Sequence, residues 1–436
     1  MKLRNILEID YLLLLPVIVI MVLGVFFIYS SGITSEGVQV STEHYKQIVW
    51  ASVGVVIAVV MSLLNYRRVY NLSLYIYLIS IAALIYTLLF GHEIYSSSRW
   101  IKIGPFSLQP SEFVKISVII MLARFLADTD RSKELFSRFA ISCAIAFIPM
   151  FIVLLQPDLG TALVYIMILI TMIFMAGVPM RYISFMVACI ALTVVLLVLP
   201  LWQTYIVHKS YSFITALTHL KFIFLIILFF AVIAAISLFG YFKFKKKYFF
   251  WLVFISAIVV FSLIASYGGR KVLKNYQIMR LIVFLDPNVD PRGAGWNIIQ
   301  SVTAIGSGGV TGRGFMQGTQ SHYRFLPEQS TDFIFSIFSE EAGFLGGLFV
   351  FTLFMFICSR LLSTMKTVTD PFAKYFCAGL AGMIFFHFII NVGMTMGIMP
   401  ITGLPLLFMS YGGSSIMSSM IGIGIALSIY IRRFNR

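Results

Sequence analysis

YLLLLPVIVIMVLGVFFIYSS, residues 11–31, runs for 21 positions without a charged side chain. As a helix rising about 1.5 Å per residue it would span about 30 Å, the thickness of bilayer hydrocarbon. Working outward from it, comparable apolar stretches lie near 47–64, 72–90, 111–127, 138–155, 160–177, 182–202, 221–240, 249–267, 333–357, 375–391 and 405–430, twelve with the first. The chain therefore reads as an all-α polytopic membrane protein of about twelve transmembrane helices. Composition agrees: 60% of residues are hydrophobic and 11% charged, whereas soluble domains carry roughly a quarter charged residues. The first run is too long for a cleavable signal and is followed by further spans, so it reads as a retained anchor.

A formal net charge of +15 raises the question of nucleic acid, but the basic residues fall in short connectors, as expected for loops facing anionic lipid. Lys2 and Arg4, Arg67 and Arg68, Arg131, Lys133 and Arg138, Lys243 with Lys245 to Lys247, Arg360 with Lys366, and Arg432 with Arg433 occupy alternate connectors. Both termini are thereby expected on the cytoplasmic side and nucleic acid is not expected as a partner; membrane lipid is. Cys143, Cys189, Cys358 and Cys377 lie inside apolar runs, which reads as small core residues rather than disulfides.

Between Asp286 and Asp332 stands a polar, glycine-rich island, DPNVDPRGAGWNIIQSVTAIGSGGVTGRGFMQGTQSHYRFLPEQSTD, followed at once by FIFSIFSEEAGF. Its placement in the alternation puts it outside, where membrane-bound chemistry is expected. The glycines of GSGG (306–309) and GRG (312–314) would let backbone amides approach an anion, with Arg313 adding charge; the bland alternative is an ordinary flexible loop. Asp332 stands where the island re-enters the membrane, after Pro327, Glu328 and Thr331. A carboxylate there suits a general base, or only stabilises the dipole of the following helix.

Ionisable groups at membrane depth cost from about 2.5 kcal/mol upward at the bilayer centre, so each needs a partner or a watery cavity. Glu112 and Lys115 are three apart, on one helical face, and read either as an internal ion pair or as substrate contacts. Asp158, in QPDLG, sits at a tight turn where it can cap the helix beginning near Thr161. Glu340 and Glu341 lie about 12 Å below Asp332 along the next helix, and one of them is expected to face the interior. His322 reads as a loop residue, and Asn391 with its neighbouring glycines as close helix packing or a cavity floor.

These residues carry a resemblance. SSRWIKIGPFSLQPSEFVK (97–115), QPDLGTALVY (156–165), the Asp286 island, GTQSHYRFLPEQSTDFIFSIFSEEAG (318–343) and GLPLLFMSYGGSS (403–415) resemble the SEDS family of bacterial shape, elongation, division and sporulation proteins. The GTQS and LPEQSTDFIF wording is closer to its RodA-like branch. The resemblance implies a peptidoglycan glycosyltransferase of the bacterial cytoplasmic membrane that polymerises lipid II at the outer face, with Asp332 as the catalytic residue. It implies substrate-binding roles for Arg99, Trp100, Glu112, Lys115, Asp158, Gln320 and Glu328. It also implies a class B penicillin-binding protein as the transpeptidase partner.

The chemistry so implied is attack by a GlcNAc 4-hydroxyl on the anomeric carbon of a MurNAc donor, with undecaprenyl pyrophosphate leaving. Asp332 would take the proton, and the single displacement would invert the anomeric centre. Arg280, Arg313 or Lys115 would neutralise the pyrophosphate, with or without a divalent cation such as Mg or Mn held by substrate oxygens and one or two carboxylates. No organic cofactor is expected. The family commonly has ten spans, so the chain reads as one domain over 1–436 with an apparent two-helix insertion at 203–267. An extracytoplasmic catalytic loop at 268–332 then precedes the tenth helix.

Two other classes compete. A transporter of lipid-linked precursor would suit intramembrane charges and glycine- or proline-interrupted helices. A non-catalytic scaffold for a transpeptidase would leave Asp332 dispensable. The concentration of carboxylates between Asp286 and Glu341 favours surface chemistry.

Overall fold

The computed structural model describes residues 9–94, 97–103, 106–130, 134–209 and 211–434. Lys2, Arg4, Arg131 and Lys133, which entered the orientation argument, lie outside the described residues. Ten helices among the described residues are long and apolar enough to cross a membrane. The chain is a multi-pass membrane protein.

The chain divides into two compact units, Met1–Gly177 with Trp296–Arg436, and Val178–Gly295. The first contains α1 (Tyr11–Ser31), α2 (Glu43–Leu63), α3 (Tyr66–Phe90), β1 (His92–Ile94), β2 (Ser97–Ile103), β3 (Phe106–Leu108), α4 (Pro110–Asp128), α5 (Leu135–Leu155) and α6 (Leu159–Met175). The second contains α7 (Met180–Trp202), the short α8 (Ser212–Ala216), α9 (Leu220–Phe244), α10 (Lys247–Val272) and α11 (Asn275–Leu285). The chain continues through α12 (Ala294–Ser307), whose first turn holds the unit boundary, then α13 (Thr319–His322), α14 (Ile334–Thr367), α15 (Pro371–Thr395) and α16 (Gly413–Ile431).

All twelve apolar stretches are at least partly helical, but two lack the length or the uncharged run of the other ten. α4 is 19 residues long and carries Glu112 and Lys115; α6 has only 17 residues. The expected outer loop at 268–332 is largely helical, because α11 and α12 are amphipathic segments rather than turn-forming sequence. The last stretch, read as one span from 405, is irregular until Gly413. Pro400 and Pro405 interrupt the helical ladder there, and Gly397 and Gly403 take positive φ.

In the first unit, α15 and α16 bury 72% and 83% of their apolar windows, against 22% for α2 and α3. α15 packs on α14, α4 and α6, while α16 packs on α2 and α4. Within the irregular segment 396–412, residues 401–410 are mostly buried in this core. Non-helical backbone is tolerated at membrane depth only where protein surrounds its polar groups, which is its situation here. The three strands form one antiparallel sheet in the order β1-β2-β3, a small departure from an all-α chain that carries Arg99 and Trp100 on β2.

The second unit is a helical assembly in which α10 packs on both α9 and α7. It contains the 203–267 stretch read as an insertion. All four cysteines are free; Cys358 and Cys377 are buried as expected of core residues, whereas Cys143 and Cys189 are only half-buried.

Candidate active site

α4 begins with Pro110 in its first turn, and the i,i+3 spacing then places two ionised side chains on one buried face. Lys115 Nζ lies 2.8 and 2.9 Å from the two oxygens of Glu112. Both residues are almost wholly buried, at 1% and 4% exposure. A third group joins them: His387 Nε2, on α15, is 3.0 Å from the ammonium. His387 Nδ1 is 3.1 Å from the Pro405 carbonyl, which can only accept, so Nδ1 carries the ring proton and Nε2 accepts from Lys115. The ion pair is thus tied to the irregular 396–412 segment.

One helical turn beyond His387, Asn391 Nδ2 donates to two carbonyls, that of Asp332 at 2.9 Å and that of Leu404 at 2.8 Å. Asp332 is half-buried, two residues before α14 begins. Its N–H donates to the Glu328 carbonyl at 3.2 Å, which also receives the N–H of Thr331 and Phe333. Exposed Glu328 holds a φ of 50° to make this turn, and its carboxylate takes the Thr331 hydroxyl at 3.3 Å. From the other side the Tyr411 N–H donates to the Ser330 carbonyl at 2.8 Å. Residues 328–332 are consequently fixed by their own turn, by α15 and by the 396–412 segment.

A second polar cluster forms where β2 meets the start of α6. Arg99 donates from Nε to the Gln156 carbonyl at 2.9 Å and from a guanidinium nitrogen to the Pro157 carbonyl. Its Nη1 lies 3.3 Å from Asp158. Asp158 also accepts the Thr161 N–H at 3.1 Å and the Gln109 amide at 3.3 Å. It is therefore both the helix cap expected and a member of an ion pair. Trp100 follows on β2, in register with His92, and is half-buried.

The glycine-rich segment differs from the sequence expectation of an anion cradle. α14 is broken at Gly343, whose φ of 68° and ψ of −166° are not helical. Into that break fits the chain from 308 to 314. The N–H groups of Phe344 and Leu345 donate to the carbonyls of Gly309 and Val310, and those of Arg313 and Gly314 donate to Glu340 and Glu341. The glycines serve this approach: a Cβ on Gly308 would lie 2.1 Å from the Ser339 carbonyl oxygen, and one on Gly343 would lie 2.2 Å from the Gly312 nitrogen.

The anion that gathers backbone amides is the protein's own. Glu340 accepts the N–H groups of Thr319, Gln320 and Ser321 at 2.7, 2.9 and 3.3 Å. Glu341 accepts the Ser30 hydroxyl at 2.5 Å and the Met316 N–H at 2.9 Å. Both carboxylates, not one, face the interior. His322, expected as a loop residue, closes the short helix α13 and is buried, lodged between the Ile33 carbonyl at 2.8 Å and Glu341 at 3.8 Å. Arg313 is exposed but spends its guanidinium on the Ser307 carbonyl and the Thr319 hydroxyl. Gln320 uses its main chain here, while its side-chain oxygen is buried without a hydrogen-bond partner among the described residues.

The structure therefore links Glu112 and Lys115 to Asp332 through His387, the 404–405 carbonyls and Asn391, and groups Arg99 with Asp158. Arg280 lies on α11 in the second unit, against the Tyr276 ring at 5.7 Å. Among the described residues no group of three or more His, Cys, Asp or Glu side chains is arranged to hold a metal ion. The sequence reading missed His387 and Gln109. An imidazole in the middle of an apolar span was a visible signal for the first; Gln109 carried none.

The sequence pattern of the FtsW/RodA/SpoVE cell cycle proteins matches residues 10–220 and 214–434. The chain is 46% identical over 99% of its length to the peptidoglycan glycosyltransferase RodA of Treponema pallidum, covering all of that protein. It is 30% identical to the peptidoglycan glycosyltransferase MrdB of Escherichia coli, over 88% of this chain and 84% of that one. Its fold resembles a chain of a peptidoglycan synthase complex that coordinates polymerization and crosslinking (TM-score 0.68, 24% identity, 98% and 99% of the two chains). It also resembles the rod shape determining protein RodA of Thermus thermophilus (TM-score 0.60, 21% identity, 98% of each chain).

Proposed function

The chain belongs to the FtsW/RodA/SpoVE family of cell cycle proteins, and from that membership we infer that it is a peptidoglycan glycosyltransferase that polymerises lipid II. The elongation and rod-shape role is supported by the RodA and MrdB names of the relatives at 46% and 30% identity. The observation that carries the catalytic reading is the fixing of Asp332. Its main chain is held by Asn391 and by the Glu328 turn, at the boundary between the polar segment and α14.

In this reading Asp332 accepts the proton of the acceptor 4-hydroxyl as that oxygen attacks the donor anomeric carbon, a contribution of about 100- to 10,000-fold for a positioned base. The α-linked donor becomes a β-linked strand in one inverting step, and undecaprenyl pyrophosphate leaves. Arg99 with Asp158, Trp100, and the Glu112–Lys115 pair contribute to the substrate-binding wall, joined by Gln320 and Glu328. One of Arg280, Arg313 or Lys115 supplies positive charge for the leaving pyrophosphate. A divalent cation, Mg or Mn, would neutralise pyrophosphate charge while resting on substrate oxygens and one or two carboxylates. The transpeptidase partner is a class B penicillin-binding protein, supported by the fold's likeness to a chain from a peptidoglycan synthase complex. The site faces outward from a bacterial cytoplasmic membrane with both termini inside, supported by the alternation of basic connectors.

Purified protein, alone and with its transpeptidase partner, is incubated with labelled lipid II and divalent cation, and glycan strands are resolved on gels. Strands from wild type and none from folded Asp332→Asn are expected. Strands of wild-type amount from the variant would remove Asp332 from the base role. Labelled lipid crossing a vesicle bilayer without strand synthesis would assign transport instead.

A further inference from the structure

A cavity of about 350 Å³ lies in the first unit, beside Asp130 and the 368–370 connector and away from Asp332 along α14. It is lined by Asp130 after α4, Met175 at the end of α6, Met365 and Lys366 in the last turns of α14, and Pro371, Lys374 and Tyr375 in the first turns of α15. Nothing in the glycosyltransferase reading uses it.

The charge arrangement is unbalanced toward an anion. Asp130 is the carboxylate of the lining, and it is already engaged by the Tyr375 hydroxyl and by Arg138 at 3.4 Å. The nearby acids are also committed. Asp128 takes the Tyr70 hydroxyl at 2.5 Å and Arg124 at 3.6 Å, and Asp370 caps α15 through the Phe372 N–H at 3.3 Å. Among the described residues the ammonium groups of Lys366 and Lys374 have neither an ion pair nor a hydrogen bond. Two uncompensated lysines therefore face one cavity across the junction of α14 and α15.

The cavity sits where the apolar helices α4, α6 and α14 end and α15 begins, which for helices that cross the hydrocarbon corresponds to headgroup level. Its methionine wall continues outward into Phe174 and Met175, which are 55% and 38% exposed on the surface of α6. A ligand that fits both features has a phosphate for the lysines and an apolar body for that surface. We propose that this cavity binds the phosphate headgroup of a membrane phospholipid, held between Lys366 and Lys374, with its acyl chains along the end of α6. Basic pockets between spans on the cytoplasmic side take such headgroups by the same electrostatics. The bound phosphate bridges the last turn of α14 to the first of α15.

The test uses full-length protein, delipidated in an uncharged detergent and titrated with phosphatidylglycerol under native mass spectrometry. The double variant Lys366→Gln/Lys374→Gln should bind about 20- to 30-fold more weakly, each lysine contributing roughly fivefold. Lys366→Arg/Lys374→Arg, which keeps both charges, should bind like wild type, and a thermal melt checks that both variants fold. Lys243→Gln, in the exposed last turn of α9 in the second unit, should leave binding unchanged. Equal binding by wild type and the double Gln variant would overturn the proposal. So would an equal loss in Lys243→Gln, which would reduce the effect to general surface charge. Binding of sn-glycerol 3-phosphate as tight as that of phosphatidylglycerol would overturn the lipid assignment in favour of a soluble phosphate.

Discussion

Asn391 and Asp332, 59 positions apart in sequence, meet through one hydrogen bond of 2.9 Å from the Asn391 side-chain amide to the Asp332 main-chain carbonyl. The second hydrogen of the same amide goes to Leu404. A single buried residue on α15 thereby sets where the backbone of Asp332 stands relative to the irregular segment behind it.

Asn391→Ala should remove both donors and leave two carbonyls without them, at about 1–3 kcal/mol each where water cannot replace the bond. Lipid II polymerisation should fall about 100-fold, the scale expected when a reacting group is displaced by an ångström. A folded Asn391→Ala protein that polymerises at the wild-type rate would show that Asp332 is positioned by its own turn alone.

Lys115→Met strands the Glu112 carboxylate in the core. Breaking a buried pair in this way costs about 3–5 kcal/mol, whereas removing both charges costs far less. Melting temperature and folded yield should therefore rank wild type and Glu112→Gln/Lys115→Met above either single variant. Additive single effects in that cycle would mean that the two groups do not act as a pair.

Glu340→Gln keeps the shape but replaces charge-assisted bonds to three backbone amides with neutral ones, a difference of about 1–2 kcal/mol summed over the site. Residues 316–322 should loosen before the helices do. Amide exchange by mass spectrometry should report faster exchange there; unchanged protection would mean that the loop is held by its own turns.

Gly343→Ala and Gly308→Ala should lower folded yield sharply, because the added methyl meets backbone atoms at 2.2 and 2.1 Å. Gly306→Ala provides the control: it lies in α12 with nothing within 4 Å of the added carbon. There alanine should be neutral or stabilising by about 0.5–1 kcal/mol. Equal yields for all three would contradict the insertion of 308–314 into the broken helix.

Much of this was legible in the chain. Uncharged runs such as 11–31 fix helices in lipid because backbone groups there have no water to bond. The i,i+3 spacing of Glu112 and Lys115 put them on one face, and the QPDLG turn announced Asp158 as a cap. The glycines of 306–314 were misread because glycine signals close approach without naming what approaches. Their partner, the break at Gly343, lies some 30 residues away. The main-chain carbonyls of Glu340 and Glu341 take the Arg313 and Gly314 amides that a phosphate would have used.

The sequence by itself determined that this chain crosses a membrane many times, and that a polar, glycine-rich segment ends at Asp332. Both follow from local hydrophobicity and local residue type. Which distant groups meet was decided only by the tertiary structure. His387 reaches Lys115 across 272 positions and Ser30 reaches Glu341 across 311, and neither pairing follows from local spacing. These contacts arise because each ionised or polar group in a low-dielectric core must find a partner, and the packing of α15 against α4 and of α1 against α14 determines which partner is near.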